Sequence, residues 1–113
     1  RFCDSHSVKY NKITRMKLNW LPRVPENLGK MPHTPHVDSA DEHMVFLYYI
    51  NDSDGDTVFF NERFDGKQKE SFTESYRVSP EAGKGVIFDG YTYHASSSPI
   101  ATEYRCILNV DFV

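Results

Sequence analysis

Apolar and polar residues alternate in short runs along this chain, and no segment shows the 3.6-residue repeat of an amphipathic helix. Residues 12–21 alternate loosely and end at a proline, which predicts a strand. Residues 44–50 form a dense apolar and aromatic run, too short for a helix, which predicts a buried strand. Further strands are predicted at residues 57–60, 76–79, 85–89, 93–96 and 104–112. Many short strands separated by turns predict a β-sandwich or barrel.

Turn-forming residues separate these strands. Residues 22–35 contain four of the six prolines and one glycine, which predicts a loop. Residues 51–56 are rich in Asp and Asn and predict a turn. Residues 61–73 are polar and charged around Asp65-Gly66, which predicts a long loop or a hairpin.

The last predicted strand carries two different faces. Because side chains alternate between the two faces of a strand, one face receives mostly polar residues and the other only apolar residues. The first face holds Arg105, Ile107, Asn109 and Asp111, and the second holds Cys106, Leu108, Val110 and Phe112. A sheet face that meets solvent is not wholly apolar. We therefore expect another segment or a partner chain to cover this face.

Length and charge restrict the class of protein. A chain of 113 residues fits a single domain. The net charge is −3, with a balance of +5 over residues 1–30 and −8 over residues 31–113. An acidic body argues against a nucleic-acid substrate and leaves a basic peptide as a candidate. No apolar run approaches the roughly 20 residues that span a membrane. Two cysteines, Cys3 and Cys106, do not make a disulfide framework, which favours a cytoplasmic protein.

His36 and Asp38 stand two positions apart, and His94 lies in another predicted strand. If His36 and Asp38 lie on a strand, both side chains point to the same face and can reach one metal ion. Two imidazoles and one carboxylate are the ligand set of a non-haem Fe(II) centre that leaves positions open for a co-substrate and dioxygen. These three residues are therefore the predicted metal ligands and catalytic residues.

Two polar residues of the last strand extend this candidate site. Arg105 follows His94 by eleven residues, and its planar fork of N–H donors suits a carboxylate. Asn109 lies four residues further on the same face, where it can contact a metal-bound water or the co-substrate.

Other metal sites are weaker alternatives. A zinc site at His33 and His36 lacks the closed set of three or four nitrogen and sulfur ligands that zinc prefers. Asp52, Asp54 and Asp56 suggest a calcium loop, but the Gly and Glu that an EF-hand needs at its sixth and twelfth positions are missing. A hairpin turn fits these aspartates better.

Several segments occur together in an order that matches a known family. They span residues 12–113 and are His36-Val37-Asp38, Leu47-Tyr48-Tyr49-Ile50-Asn51, Gly55-Asp56-Thr57, residues 80–88, His94-Ala95 and Arg105. With them the chain resembles the Fe(II)- and 2-oxoglutarate-dependent oxygenases, specifically the prolyl 4-hydroxylase-like branch. Tyr48-Tyr49-Ile50-Asn51 and Phe88-Asp89-Gly90 are especially similar to phage-encoded members.

The resemblance implies a fold, a set of cofactors and a reaction. The fold is a cupin-like double-stranded β-helix, or jelly-roll, over residues 1–113, lacking some of the N-terminal helices that cover the last strand in relatives. Fe(II) is held by the three ligands above, and 2-oxoglutarate chelates it while its far carboxylate meets Arg105 and the hydroxyl of Tyr49. Thr57 matches a hydroxyl position of some relatives. The reaction uses dioxygen to hydroxylate a C–H bond, most simply of a prolyl residue in a protein or peptide, and releases succinate and CO2, with ascorbate as an optional reductant.

Two alternatives to the peptide hydroxylase remain at this stage. One is a free amino-acid or small-molecule hydroxylase on the same scaffold. The other is a non-redox cupin-like module that binds a metal or another ligand, against which Arg105 and Tyr49 argue because such a module needs no clamp for a dicarboxylate. The expected location is the cytoplasm, that of a bacterial host cell if the protein is phage-encoded.

Overall fold

The computed structural model describes residues 11–29 and 31–113, so that Cys3 lies outside the described residues. Within them the chain forms seven strands and one short 3-10 helix, Glu26–Leu28. The strands are β1 (Ile13–Pro22), β2 (Met44–Tyr49), β3 (Thr57–Arg63), β4 (Glu74–Val78), β5 (Gly85–Asp89), β6 (Thr92–Ser96) and β7 (Tyr104–Phe112). No helix of the described part is long and apolar enough to cross a bilayer.

The seven strands form two antiparallel sheets. One sheet has the order β1-β7-β2-β5 and the other the order β4-β3-β6. Except for β3 and β4, neighbouring strands are distant in sequence, as in a jelly-roll, where the chain crosses repeatedly between two layers. This arrangement confirms the predicted mainly-β jelly-roll class.

The core lies between the two sheets and follows from the alternation of each strand. On β2 the odd-numbered residues face inwards, and Val45 and Tyr49 are completely buried there. The same alternation brings Phe59 of β3 and Phe88 of β5 into contact, with their ring centroids 4.8 Å apart. Ile107 of β7 completes this apolar cluster. The inward face of β7 thus carries one apolar residue among polar ones, so its polar residues enter the space beside the core.

The outward face of the larger sheet carries the apolar row expected from the sequence. Val110 and Phe112 pack there with Phe46 of β2 in a second apolar cluster. Beside it Met16 and Leu18 of β1 are about 60% exposed. That a partner chain covers this face stays a prediction. Cys106 on the same strand is a buried free thiol.

Strand ends differ from the sequence-based expectation where charged residues continue a ladder. β3 extends to Arg63 and β4 begins at Glu74, so the predicted loop over residues 61–73 is shorter than expected. The Asn61 N–H donates to the Thr73 carbonyl at 2.9 Å and the Glu62 carboxylate accepts from the Thr73 N–H. Polar side chains on this exposed end hide the pairing from a hydrophobic pattern.

Candidate metal centre and its cavity

His36 reaches the site from an irregular segment and not from a strand, which corrects the sequence-based prediction. His36 and His94 form an isolated antiparallel bridge, with N–H···O distances of 3.0 and 3.1 Å in the two directions. A second isolated bridge joins Pro32 to Ser97, and the His33 N–H donates to the Ser96 carbonyl, but Pro35 has no N–H and the pairing does not become a continuous strand. These contacts together place His36 beside β6.

His36, Asp38 and His94 come together as the spacing predicted. The Asp38 Oδ1 atom lies 3.3 Å from His36 Nε2 and 3.6 Å from His94 Nε2. The ligand atoms of all three residues lie within 4.8 Å of one another. The side chains of Asp38 and His94 are 2% and 5% exposed, whereas that of His36 is 51% exposed. The cluster is therefore buried on one side and open on the side of His36.

Backbone carbonyls orient both imidazole rings. His94 Nδ1 lies 3.0 Å from the Thr92 carbonyl oxygen, and His36 Nδ1 lies 3.3 Å from that of Thr34. A carbonyl oxygen only accepts, so each Nδ1 carries a proton, and each Nε2 faces Asp38 with a lone pair in the neutral ring and with an N–H donor once the ring is protonated. Metal-bound histidines in proteins are held in this way. His94 Nε2 is buried and has no hydrogen-bond partner, so the donor set fits a divalent cation such as Fe(II).

The charge state of Asp38 also suits a metal ligand. Burial on its own would raise the pKa of Asp38, but its contacts with the His36 and His94 imidazoles and with Asp111 together outweigh burial and hold that pKa well below its usual range. The hydrogen bond to Asp38 in turn raises the pKa of His36. Asp38 is ionised at neutral pH, and acid opposes metal binding by protonating His36.

A cavity of about 440 Å³ adjoins the cluster, and Arg105 lines it together with the three candidate ligands. Arg105 is 3% exposed. Its Nε–H donates to the Gly55 carbonyl and its Nη2–H to Thr57 Oγ1, both at 2.7 Å. Burial lowers the pKa of Arg105 to about 10, so the guanidinium stays charged at neutral pH. One cavity therefore contains the ligand cluster and a fixed cation.

The two predicted hydroxyl donors form a chain of hydrogen bonds with Arg105, in which Thr57 contacts Arg105 and Tyr49 contacts Thr57. The Tyr49 hydroxyl donates to Thr57 Oγ1 at 2.8 Å, and burial raises the pKa of Tyr49. Thr57 lines the cavity, whereas Tyr49 stands behind it. Thr57 Oγ1 accepts from both Tyr49 and Arg105, so its own O–H proton remains available to an acceptor in the cavity.

Asn109 lies at the other end of the cavity, where its Nδ2–H donates to Asp38 Oδ2 at 3.3 Å. Beyond it the structure adds two residues that the sequence analysis did not select for the site. The ligand atoms of His43 and Asp111 lie within 4.8 Å of each other and of Asp38. Burial is the main cause that raises the pKa of Asp111 to about 7, followed by its contact with Asp38. The shared inward face with Arg105 and Asn109 was the signal for Asp111; nothing in the sequence marked His43.

The wall of the cavity opposite β6 comes from β1, whose role the sequence analysis also missed. Arg15, Lys17, Asn19 and Leu21 of β1 line the cavity, together with Trp20. The loose alternation of β1 was the available signal, because period two places Arg15 and Lys17 on one face. What the sequence could not supply was the pairing of β1 with β7.

The aspartates that suggested a calcium loop have structural partners. The Asp54 carboxylate accepts hydrogen bonds from the backbone N–H groups of Ile100, Ala101 and Thr102. The Asp52 carboxylate accepts from the Ala82 N–H at 2.8 Å. These aspartates therefore hold loops, as the turn interpretation required. His33 Nε2 contacts Ser98 Oγ at 3.0 Å and takes no part in the cluster of His36.

Comparison with known proteins supports the fold. No protein-family model matches the chain, and no curated protein sequence matches it. Among solved structures, the crystal structure of a cupin protein from Bacteroides fragilis is similar, with a TM-score of 0.54 and 14% sequence identity. The similarity covers 97% of this chain and 71% of that protein. The chain thus has the cupin jelly-roll fold, and its described residues place a His/Asp cluster that could hold a metal ion inside that fold.

Proposed function

We propose that this protein is an Fe(II)- and 2-oxoglutarate-dependent oxygenase that hydroxylates a prolyl residue of a protein or peptide. One observation carries the proposal, namely that a single cavity holds the His36, Asp38 and His94 cluster together with the buried cation of Arg105. A metal ligand set with open positions and a fixed partner for a carboxylate are the two parts that such a reaction needs.

The three ligands would hold the metal on the buried side of the cavity. When bound, Fe(II) and 2-oxoglutarate supply the oxidising chemistry, in which dioxygen hydroxylates a C–H bond while 2-oxoglutarate becomes succinate and CO2. Asp38 contributes a negative charge and the two histidines contribute neutral nitrogen ligands. Asn109 holds the second carboxylate oxygen of Asp38, which fixes the direction of the first.

Arg105 would bind the far carboxylate of 2-oxoglutarate. A buried guanidinium is costly unless it is paired, and the two described hydrogen bonds of Arg105 go to neutral oxygens, so that Asp56 offsets its charge without bonding to it directly. A carboxylate in the cavity would be a direct partner, and the O–H of Thr57 can donate to the same group. The cavity volume of about 440 Å³ falls within the range of about 300–1,000 Å³ typical of small-molecule sites.

The prolyl substrate rests on the sequence resemblance to the prolyl 4-hydroxylase-like branch. The exposed imidazole of His36 supports a substrate that approaches the metal from solvent, as a segment of a protein can do. A free amino-acid or small-molecule hydroxylase would use the same ligands and the same Arg105.

A second candidate function is a cupin-like module that binds a metal without redox chemistry. The observation in its favour is that Arg105 already bonds to Gly55 and Thr57 and can therefore stabilise the fold by itself. The two candidates differ in what they require of 2-oxoglutarate, because only the oxygenase binds and consumes it.

The decisive experiment titrates 2-oxoglutarate into protein loaded with Mn(II), which binds such sites without turnover. We expect Arg105→Ala to weaken 2-oxoglutarate binding by roughly 30-fold to several thousand-fold, since the loss of one partner of a buried charge pair costs on the order of 2–5 kcal/mol. Arg105→Lys keeps the charge but loses the fork, so its loss should be smaller. Mn(II) affinity should remain nearly unchanged in both variants.

Arg63→Ala is the matched control, because Arg63 is an exposed arginine paired with Asp89 outside the cavity. Succinate formation with Fe(II) then tests the reaction. A parent protein that binds Mn(II) but neither binds nor consumes 2-oxoglutarate would leave the metal-binding module as the better assignment.

A further inference from the structure

Strand β1 brings two positive charges to the candidate metal centre. In the register of β1 and β7, Arg15 lies opposite Asp111 and Lys17 lies opposite Asn109. Directly opposed residues of an antiparallel pair have Cβ atoms about 4.5–5.5 Å apart. Arg15 and Lys17 both line the cavity. They lie at its Asp38 end, because their partners on β7, Asp111 and Asn109, are four or more residues away from Arg105.

The charge of the cavity differs from the charge of the body of the protein. Of its lining residues three are cationic, Arg15, Lys17 and Arg105, against one carboxylate, that of Asp38. Within the described residues neither Arg15 nor Lys17 takes part in a salt bridge. A cleft of one sign attracts ligands of the opposite sign. A divalent metal ion in the centre would strengthen this positive potential.

Several of the acidic residues that give the body its negative balance lie outside the cavity and have described partners. Asp65 pairs with Lys69, Glu74 with Arg77, and the Asp54 carboxylate holds a loop. None of these carboxylates lines the cavity. The basic peptide expected from the summed charge therefore does not match the wall that a substrate meets.

We propose that the substrate is acidic, and that it is an extended peptide whose carboxylates pair with Arg15 and Lys17 while its reacting residue faces the metal. The reaction in this inference rests on the proposed function, whereas the preference for an acidic substrate rests on the positive charges of β1. Arg15 and Lys17 are two residues apart on a strand, which separates them by about 7 Å. Alternate residues of an extended peptide have the same spacing, so acidic residues on both sides of a proline can meet both cations. Free proline, with one carboxylate, cannot pair with both.

Calorimetric titration measures binding without turnover. We would follow the heat of binding to the Mn(II)-loaded protein, at low salt and without 2-oxoglutarate, during titration with three capped peptides. These are acetyl-Glu-Pro-Glu-amide, acetyl-Gln-Pro-Gln-amide and acetyl-Lys-Pro-Lys-amide, with free proline as a fourth ligand.

The Glu peptide should bind roughly 2- to 30-fold more tightly than the Gln peptide, as two exposed ion pairs allow, and the Lys peptide should bind least. Added salt should reduce the difference. The double variant Arg15→Gln/Lys17→Gln should abolish the preference, and Lys17→Glu should shift it towards the Lys peptide. Lys12→Gln removes one charge next to β1 but outside the cavity lining, so it should leave the preference unchanged.

Equal affinity for the Glu and Lys peptides, a preference that survives in the double variant, or no detectable binding of any peptide would overturn the inference. Free proline that binds as tightly as the Glu peptide would overturn its peptide part. The outcome is separable from the oxygenase proposal. A protein that shows the acidic preference but forms no succinate retains the inference and loses the proposed reaction.

Discussion

The two ends of the cavity are built in opposite ways. At the Arg105 end the polar groups bond to one another, since the guanidinium donates to Gly55 and Thr57, and Tyr49 donates to Thr57. At the metal end they do not. Four buried side-chain atoms of the described residues have no hydrogen-bond partner, and all four lie near Asp38: His43 Nε2, His94 Nε2, Asn109 Oδ1 and Asp111 Oδ1.

This difference shows which polar groups the fold itself satisfies and which polar groups need a ligand. Buried polar atoms in folded proteins are nearly always hydrogen-bonded, and unpaired ones need a specific explanation. The Arg105 end needs none, so its geometry is formed by the protein alone. The metal end gains stability from a cation, which would satisfy lone pairs that no donor in the described residues reaches. We therefore expect changes at the two ends to separate metal binding from folding.

The largest effect should follow the removal of a metal ligand. His94→Ala deletes the most buried imidazole of the cluster, so its Fe(II) or Mn(II) affinity should fall by more than the roughly 10- to 100-fold that outer-shell changes cost. Turnover of 2-oxoglutarate should disappear. His33→Ala serves as control, because His33 contacts Ser98 outside the cluster. Parent-level metal affinity in the His94 variant would remove this residue from the ligand set.

Asn109→Ala should have the next largest effect on the metal. Asn109 donates to the oxygen of Asp38 that faces away from the histidines, so its loss leaves the ligand less well oriented. Metal affinity should fall by roughly 10- to 100-fold while the Arg105 end stays intact. Calorimetric titration with Mn(II) measures this loss, and Asn27→Ala, on the exposed 3-10 helix, is the control. An unchanged affinity would show that Asp38 keeps its orientation without Asn109.

Gly55→Ala should disturb folding at the opposite end. A Cβ on Gly55 would lie 2.5 Å from the Ser97 carbonyl oxygen and 3.0 Å from Arg105 Cδ, and backbone atoms cannot easily move away. Such overpacking costs about 1–3 kcal/mol, and urea unfolding should show it. Gly90→Ala is the comparison at the metal end, where the new Cβ meets the His43 side chain. Equal unfolding midpoints for the parent and the Gly55 variant would contradict the close packing around Arg105.

The jelly-roll class and much of the site were predictable because they depend on local pattern. Strands β5 and β7 have the bounds that alternation predicted, and the His36-Val37-Asp38 spacing pointed to residues that the structure brings together. Arg105 was also identifiable, since a charged residue on an otherwise apolar strand needs a buried partner. These features are encoded within a few residues of one another.

The rest depends on pairing between distant segments, which a single sequence does not display. No local sequence pattern shows that Lys17 lies opposite Asn109 or that His43 lies near Asp111. The summed charge of residues 31–113 cannot show for the same reason which carboxylates line the cavity, because it also counts carboxylates that hold loops. Tyr49 was placed on the correct face of its strand, but only the packing of β3 shows that Thr57 stands between it and the cavity.

The smallest effect concerns acid stability near the Arg105 end. Burial would raise the pKa of Asp54, but hydrogen bonds from residues 100–102, above all from Thr102, outweigh burial and lower the pKa from 3.8 to about 2. A carboxylate with a lowered folded-state pKa stabilises the protein above its unfolded-state pKa and loses this contribution as pH falls through the folded value. In the parent protein, the contribution of Asp54 to the free energy of unfolding should therefore disappear as the pH falls from about 4 to about 2.

Asp54→Asn isolates that contribution. The variant should be less stable than the parent at pH 6, and the difference should shrink as the pH falls towards 2. Thermal unfolding over this pH range measures it, with Asp41→Asn, an exposed aspartate whose carboxylate has no described hydrogen bond, as control. A difference that stays constant with pH would mean that the hydrogen bonds of Asp54 do not depend on its charge.

Strand β1 is the edge of its sheet and pairs with β7 alone. Most of its residues are exposed, and none belongs to the apolar core clusters. Substitutions at Arg15 and Lys17 thus leave the His36, Asp38 and His94 cluster and the apolar core untouched. Evolution, or a protein engineer, can change the charge of one cavity wall by rewriting ten consecutive residues, Ile13–Pro22, while the candidate metal centre is inherited unchanged.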